Sequence, residues 1–175
     1  IDLTSLQNPT PIGGTWSGVG VGVTGVNFDP ALAGAGTYAI VYTVGNGTCL
    51  TRDTLAITVN PLPVITTSPD TVICLNDSTQ LTASGGVSYS WSPSTGLSDT
   101  SVSNPMASPG VTTTYTVLVT DSNGCENTEV VTVTVNPLPV VTTSPDTVIC
   151  LNDSTQLTAS GGVSYSWSPS TGLSD

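Results

Sequence analysis

The residues of this chain that could do covalent chemistry are four cysteines, Cys49, Cys74, Cys125 and Cys150. Thiols form disulfides, act as nucleophiles or bind metal ions, depending on the bases and ligands around them. This chain has no histidine and no lysine, and Arg52 is its single basic side chain, so no ordinary base is present to activate a serine or a cysteine. No paired-cysteine or histidine-bearing motif suggests a metal site. The sequence therefore predicts no enzyme activity, no catalytic residue, no metal site and no cofactor, and it favours disulfides.

Charge restricts the partners of the chain. Its 12 acidic residues give a net charge of −11, which repels nucleic acid and anionic lipid. No apolar run is long enough to cross a membrane, so we expect no membrane insertion in this segment. The aspartates lie in turn sequences such as SPDT and LNDS, where Asp is structurally favoured, and they leave only weak surface calcium binding open.

A long internal repeat sets the organisation of the chain. Residues 61–99 return 76 positions later as residues 137–175, with Ile65→Val141 as the single change. Repetition at domain length predicts a tandem array with units at 1–60, 61–136 and 137–175. The first unit is expected to lack its first strand, and the third is the first half of a further copy. The second copy stops in mid-repeat, which predicts that the chain is a window on a longer protein.

Alternation of apolar and polar residues predicts strands throughout. Pairs of alternating runs flank Asn46-Gly47 and Asn123-Gly124, the dipeptide typical of a hairpin turn. Short strands at this spacing predict an all-β fold of tandem immunoglobulin-like sandwiches. The predicted core anchors are Trp16, Trp91, Trp167, Tyr38 and Tyr115, with a ligand-stacking role for the tryptophans as the alternative. The connectors Asn60–Pro63 and Asn136–Pro139 are stiffened by two prolines each, so the array is predicted to be a rod.

The repeat also narrows the cysteine pairing. Cys74 precedes the second strand of the middle unit and Cys125 follows its Asn-Gly turn, so a Cys74–Cys125 bond within one unit is the economical assignment. Cys49 and Cys150 then need partners outside the chain or in a neighbouring chain. In the alternative, identical subunits polymerise head to tail by strand complementation, with Cys150 of one chain bonded to Cys49 of the next. Four free thiols remain a further option. Disulfides would imply an oxidising, extracytoplasmic compartment.

Several motifs occur in an order that resembles a known family of surface repeats. The series C-x-x-D-S, YSWSP, TTTYTV and D-x-NGC in residues 69–139 looks like the PKD-like, immunoglobulin-like tandem repeats of giant cell-surface proteins of gliding bacteria. Residues 13–63, with GGTWSGVGV, FDPALAGAGTY and ITVNPLP, are similar to a companion repeat of the same proteins. The resemblance implies a gliding-motility-type adhesin or a surface filament at an extracellular, cell-surface location. It also allows a spacer in a secreted multidomain hydrolase.

The resemblance further implies sugar attachment and particular partners. Bacteria of this group O-glycosylate exported proteins at Asp-Ser/Thr sequences, and matching positions here are Thr54, Thr71, Ser78, Thr147 and Ser154. Expected partners are neighbouring repeats of the same or identical chains, and surface glycans or adhesion targets. The overall expectation is the structural region of a filament or stalk that gives reach and mechanical strength. The alternative is an immunoglobulin-like module that binds carbohydrate or protein.

Overall fold

The protein is almost entirely β-structure. The computed structural model describes residues 14–18, 23–24, 27–46 and 48–174. Strands account for 45% of the structure and helix for 3%, so the all-β prediction is confirmed. The helix α1 (Pro30–Ala33) begins after Asp29, whose side chain accepts a hydrogen bond from the Ala31 amide at 2.9 Å. Among the described residues, no helix has the length and apolar character needed to cross a bilayer.

The first segment (residues 14–59) is built on a long antiparallel hairpin. Its three-stranded sheet has the order β1-β4-β5, with β1 at Thr15–Gly18, β4 at Gly36–Asn46 and β5 at Cys49–Val59. Two short strands, β2 (Val23–Thr24) and β3 (Asn27–Phe28), form a separate ribbon. The hairpin β4–β5 follows the prediction from Asn46-Gly47, although Gly47 itself lies outside the described residues.

The second segment (residues 61–136) contains a four-stranded sheet and two smaller ribbons. Its strands are β6 (Thr66–Thr67), β7 (Thr71–Cys74), β8 (Thr79–Gln80), β9 (Ala83–Ser84), β10 (Ser88–Ser92), β11 (Met106–Ala107), β12 (Thr113–Thr120) and β13 (Glu126–Asn136). The sheet has the order β10-β12-β13-β7, and the ribbons pair β8 with β11 and β6 with β9. The predicted Asn123-Gly124 dipeptide lies in the loop of the β12–β13 hairpin, where Gly124 has φ 81°.

Period-two alternation produces the core of this second segment. Tyr115, Val117 and Val119 of β12 are fully buried, whereas the residues between them are only partly covered. Val131 and Val133 of β13 are buried beside them. The residues that pack against this face from the rest of the segment are Ile73, Leu81, Ala83, Trp91 and Ala107. A single apolar core between the large sheet and the short ribbons is consistent with a β-sandwich.

One glycine fixes the connection between β9 and β10. Gly85 has φ 112°, a backbone conformation that residues with a side chain rarely adopt. A Cβ atom at this position would also overlap the carbonyl oxygen of Val64. The Gly85-Gly86 pair therefore lets two backbone segments approach each other closely.

The third segment (residues 137–174) keeps the turns of the second but few of its strands. Its described strands are β14 (Thr142–Thr143) and β15 (Ala159–Ser160), which pair as β6 and β9 do. Asn76 and Asn152 both have φ 75°, so the equivalent turns also match. The chain at 147–150 and 164–168 forms no strand, although its sequence is that of β7 and β10. Those strands pair with β13 and β12 in the second segment, and the described part of the third segment contains no such hairpin.

Candidate functional site

The pairing of β7 with β13 joins the two ends of the second segment. Thr71–Cys74 lies parallel to Val133–Asn136, with Thr71 opposite Val133 and Cys74 opposite Asn136. β7, which lies near the point where the chain enters the segment, is thus hydrogen-bonded to β13, from which the chain leaves. We call these eight residues the terminal strand pair.

Two further hydrogen bonds extend the terminal strand pair at its ends. Beyond Cys74, the Leu75 amide donates to the Asn136 carbonyl oxygen at 2.8 Å. Before Thr71, the carboxylate Oδ1 of Asp70 accepts from the Thr132 amide at 2.8 Å. A carboxylate acceptor makes a stronger bond than a neutral one, so Asp70 continues the pairing where the ladder ends.

The entering and leaving connectors lie at opposite ends of β13. The side-chain amide of Asn127, at the start of β13, donates to the carbonyl oxygen of buried Pro63 at 3.1 Å. Asn136, at the other end, leads directly into Pro137. A strand of this length spans about 35 Å at roughly 3.4 Å per residue. The second segment therefore has an entry end beside Pro63 and an exit end beside Asn136.

This polarity corrects the predicted cysteine pairing. Cys74 lies opposite Asn136 at the exit end, whereas Cys125 directly precedes β13 at the entry end. A disulfide requires Cα atoms within about 7 Å, but these two lie about 35 Å apart along the strand. All four cysteines are free, and Cys49, Cys74 and Cys150 are exposed. An intra-repeat Cys74–Cys125 bond is incompatible with this strand register.

Two of the predicted anchors hold the second segment together through both packing and polar contacts. Trp91 is buried, and its indole Nε1 donates to the Val102 carbonyl oxygen at 2.9 Å. The Tyr115 hydroxyl donates to the Thr95 carbonyl oxygen at 2.8 Å, which ties the loop after β10 to the sheet. Burial raises the pKa of Tyr115 above its usual value. These contacts use the polar atoms of both rings internally and leave neither as a stacking platform.

The anchors of the first segment belong to a smaller cluster. Trp16 packs on Tyr42 with ring centroids 4.9 Å apart, and it borders the buried trio Phe28, Ile40 and Ile57. The Tyr38 hydroxyl donates to the carbonyl oxygens at the end of α1, and its ring lies 5.5 Å from that of Phe28. Tyr38 thus ties the short helix to β4.

Trp167 does not occupy a core, in contrast to its predicted role as an anchor. It is 41% exposed, whereas Trp91 in the same local sequence is 2% exposed. Leu157 and Ile149 are 43% and 50% exposed, against 1% and 9% for their counterparts Leu81 and Ile73. These side chains line a groove of about 510 Å³. We call the surface formed by Ile149, Leu157, Trp167 and Leu173 the open face.

The predicted glycosylation positions are distributed over all three segments. Ser78 lies in an exposed loop after β7, and Thr54 is exposed on β5. Thr71 is partly covered because it belongs to the terminal strand pair. The counterparts Thr147 and Ser154 in the third segment are exposed.

Asp121 organises the β12–β13 turn. Its Oδ1 accepts from the amides of Asn123 at 2.8 Å and Cys125 at 2.9 Å. These bonds, led by that from Cys125, hold the pKa of Asp121 below its ordinary value. Its carboxylate is used to close the turn, and the described residues contain no cluster of three or more acidic or cysteine side chains that could hold a metal ion.

Two polar residues that position the strands escaped the sequence reasoning. Asp70 and Asn127 each bond to a segment more than 60 positions away in the chain, Thr132 and Pro63 respectively. The available signal was the recurrence of the Ser-Pro-Asp-Thr turn, which marks Asp70 and Asp146 as structural without naming a partner.

Comparison with known proteins adds no assignment. No protein-family model matches the sequence, and no curated protein matches it at a significant level.

Proposed function

We propose that this chain is a structural repeat region of an extracellular filament or stalk of a large bacterial surface adhesin. The units are immunoglobulin-like, PKD-like sandwiches in tandem, and their task is to give reach and to carry tension. The observation that supports this proposal most strongly is the terminal strand pair between the entering and leaving chain. The resemblance of the motif series to surface repeats of gliding bacteria supports the location at the cell surface.

The geometry of the terminal strand pair explains how tension would be carried. Tension drawn through Pro63 and Asn136 pulls β7 and β13 in opposite directions along their length. Their ladder hydrogen bonds lie across that direction, so all of them are loaded together rather than one after another. β12 also supports β13, because the two strands pair from Thr113 opposite Val133 to Thr120 opposite Glu126. The second segment can therefore resist extension without any ligand or metal ion.

The exposed chemistry suits an extracellular polymer. Acidic and threonine-rich surfaces discourage unwanted pairing at exposed strand edges. Sugar at Thr54, Ser78 and their counterparts would strengthen this protection. The same surface, with its net charge of −11, disfavours nucleic acid as a partner.

A binding module is the second candidate, and the open face of the third segment is what favours it. Aromatic and aliphatic side chains there are available to a partner, as a carbohydrate- or protein-binding surface requires. The counterparts Ile73, Leu81 and Trp91 of the second segment are buried, however, so this surface is better explained as one half of a core.

Immunoelectron microscopy of intact source cells tests the proposed function. Antibodies raised against residues 61–136 are expected to label projections outside the cell at many points along their length. Antibody against a cytoplasmic protein is the matched control for cell integrity. Label that appears only after permeabilisation, or only at a single point beside a secreted enzyme, would overturn the proposal.

A further inference from the structure

We propose that a β-hairpin of the β12–β13 type closes the open face, and that the cysteine in its turn forms a disulfide with Cys74 of the preceding repeat. Consecutive repeats would then be cross-linked across the Asn136–Pro139 connector. This inference deepens the proposed stalk, because it gives each junction a covalent bond in addition to the connector.

The second segment shows what covers the open face. Residues 61–99 and 137–175 differ only at Ile65/Val141. In the first copy, the counterparts of the open-face side chains pack in one core with side chains of β12 and β13. The covering side chains are Tyr115, Val117, Val119, Val131 and Val133, all fully buried. An identical surface needs the same partner, a ribbon that presents one aromatic and four aliphatic side chains on one face.

The same template places the cysteine of the incoming hairpin. In the second segment the start of β13 contacts Pro63, so in the third segment the start of the hairpin's second strand would contact Pro139. The turn cysteine, two positions before the contacting asparagine, then lies at the entry end of the third segment.

Cys74 lies at this same junction. It is the ladder partner of Asn136, about 5 Å away across the sheet, and its side chain is exposed. Asn136 and Pro139 are separated by three peptide units, which span at most about 10 Å. The exposed thiol of Cys74 and the incoming turn cysteine therefore meet beside one short connector.

Cys150 is excluded as the partner by the same register. It would lie opposite the last residue of the incoming strand, about 35 Å from the turn. Cys150 is instead placed to meet the turn cysteine of the next unit in the array. The same register separates Cys125 from Cys74 within the second segment.

The bond forms by oxidation of two thiols. Each sulfur loses its proton, one sulfur–sulfur bond forms, and two electrons pass to a disulfide oxidant, which is reduced to two thiols. In the experiment below the oxidant is glutathione disulfide.

A peptide-capture experiment tests both parts of the proposal. The probe is a synthetic peptide with the sequence of residues 100–136, which carries the turn cysteine. The target is the full chain with Cys49→Ser and Cys125→Ser, so that Cys74 and Cys150 are its remaining thiols. The two are mixed at micromolar concentration in glutathione redox buffer. Trp167 emission, taken as the difference between this target and its Trp167→Phe variant, and the mass of the non-reduced adduct are then measured.

The proposal predicts a blue shift of Trp167 emission and a one-to-one adduct through Cys74. A further Cys74→Ser change should abolish the adduct and retain the blue shift, whereas Cys150→Ser should change neither. Proximity should favour Cys74 over Cys150 by about tenfold or more. A peptide with Val131→Thr and Val133→Thr is the matched control and should give little shift.

Three outcomes would overturn the proposal. An adduct through Cys150 would show that the turn cysteine forms its disulfide within its own repeat. An unchanged Trp167 spectrum would show that this hairpin does not cover the open face. Self-association of the chain that excludes the peptide would make a second copy the occupant. None of these results depends on where the native protein is found. The peptide experiment therefore tests the disulfide separately from the proposed function.

Discussion

Leu81 and its counterpart Leu157 have the same local sequence, but truncating each to alanine should change stability by very different amounts. Leu81 is 1% exposed within the core of the second segment, whereas Leu157 is 43% exposed on the open face. Leu81→Ala removes buried methyl groups and leaves a cavity among Ile73, Trp91 and Val117, so we expect a loss of about 3 kcal/mol. Leu157→Ala lies outside that core and should change the stability of the second segment by less than about 0.5 kcal/mol.

The size of the first effect is large relative to the stability of the segment. A folded unit of this length has a free energy of unfolding of about 4–11 kcal/mol. A loss of about 3 kcal/mol should lower its midpoint temperature by roughly 12–24 °C. Leu81→Ala should therefore leave the segment folded at low temperature and clearly destabilised on heating.

Trp91 emission provides the assay. Trp16→Phe and Trp167→Phe in the background leave Trp91 as the single reporter, and urea unfolding is followed at low protein concentration. The midpoint should fall for Leu81→Ala and remain unchanged for Leu157→Ala. Equal effects of the two substitutions, or no effect of Leu81→Ala, would refute the assignment of one closed and one open core.

Four further substitution and pH experiments test individual contacts. Asp70→Ala should lower the free energy of unfolding by about 0.5–1.5 kcal/mol, because the hydrogen bond from the Thr132 amide is lost. The counterpart Asp146→Ala should leave the urea midpoint unchanged. Equal shifts of the midpoint would contradict the role of Asp70. Gly85→Ala should cost more than about 1 kcal/mol because of its positive φ and the Val64 carbonyl, while Gly110→Ala has open space and should be neutral in the same assay. The pKa of Asp121 is lowered because the turn binds its charged carboxylate, so this group stabilises the fold above about pH 4. That contribution should be lost as the pH falls through the folded-state pKa. Asp121→Asn should therefore flatten the acid limb of a stability-versus-pH curve. The pKa of Tyr115 is raised because burial favours its neutral phenol, so the free energy of unfolding should fall as the pH rises above about 10. If a Tyr115→Phe chain loses stability over the same alkaline range, ionisation of Tyr115 is not the cause.

Local patterns in the sequence predicted the hairpins, because alternation and the Asn-Gly turn are properties of neighbouring residues. The side chains of Tyr115, Val117 and Val119 share a face in any extended strand. The parallel pairing of β7 with β13 joins residues about 60 positions apart and has no local signal. Without it, the sequence could not show that Cys74 and Cys125 lie at opposite ends of the sheet.

Trp167 shows a second limit of sequence reasoning. Its local sequence is identical to that around Trp91, yet one ring is exposed and the other is buried. Burial is decided by β12 and β13, which cover the second segment. A repeat therefore predicts equal local turns, as Asn76 and Asn152 show, and does not by itself predict equal packing.

Single-molecule pulling of the second segment tests the central claim, resistance to tension along the chain. One attachment pair pulls through residues 61 and 136 and shears the terminal strand pair. The other pulls through Cys74 and Asn136→Cys, which are opposite each other, and opens the same pair one bond at a time. Unfolding from end to end should release about 230 Å of chain.

Pulling from end to end should give one discrete unfolding event, at a force clearly above that needed in the second geometry. Extension from end to end at low force without a discrete event, or at a force no higher than in the second geometry, would contradict a tension-bearing role for this repeat.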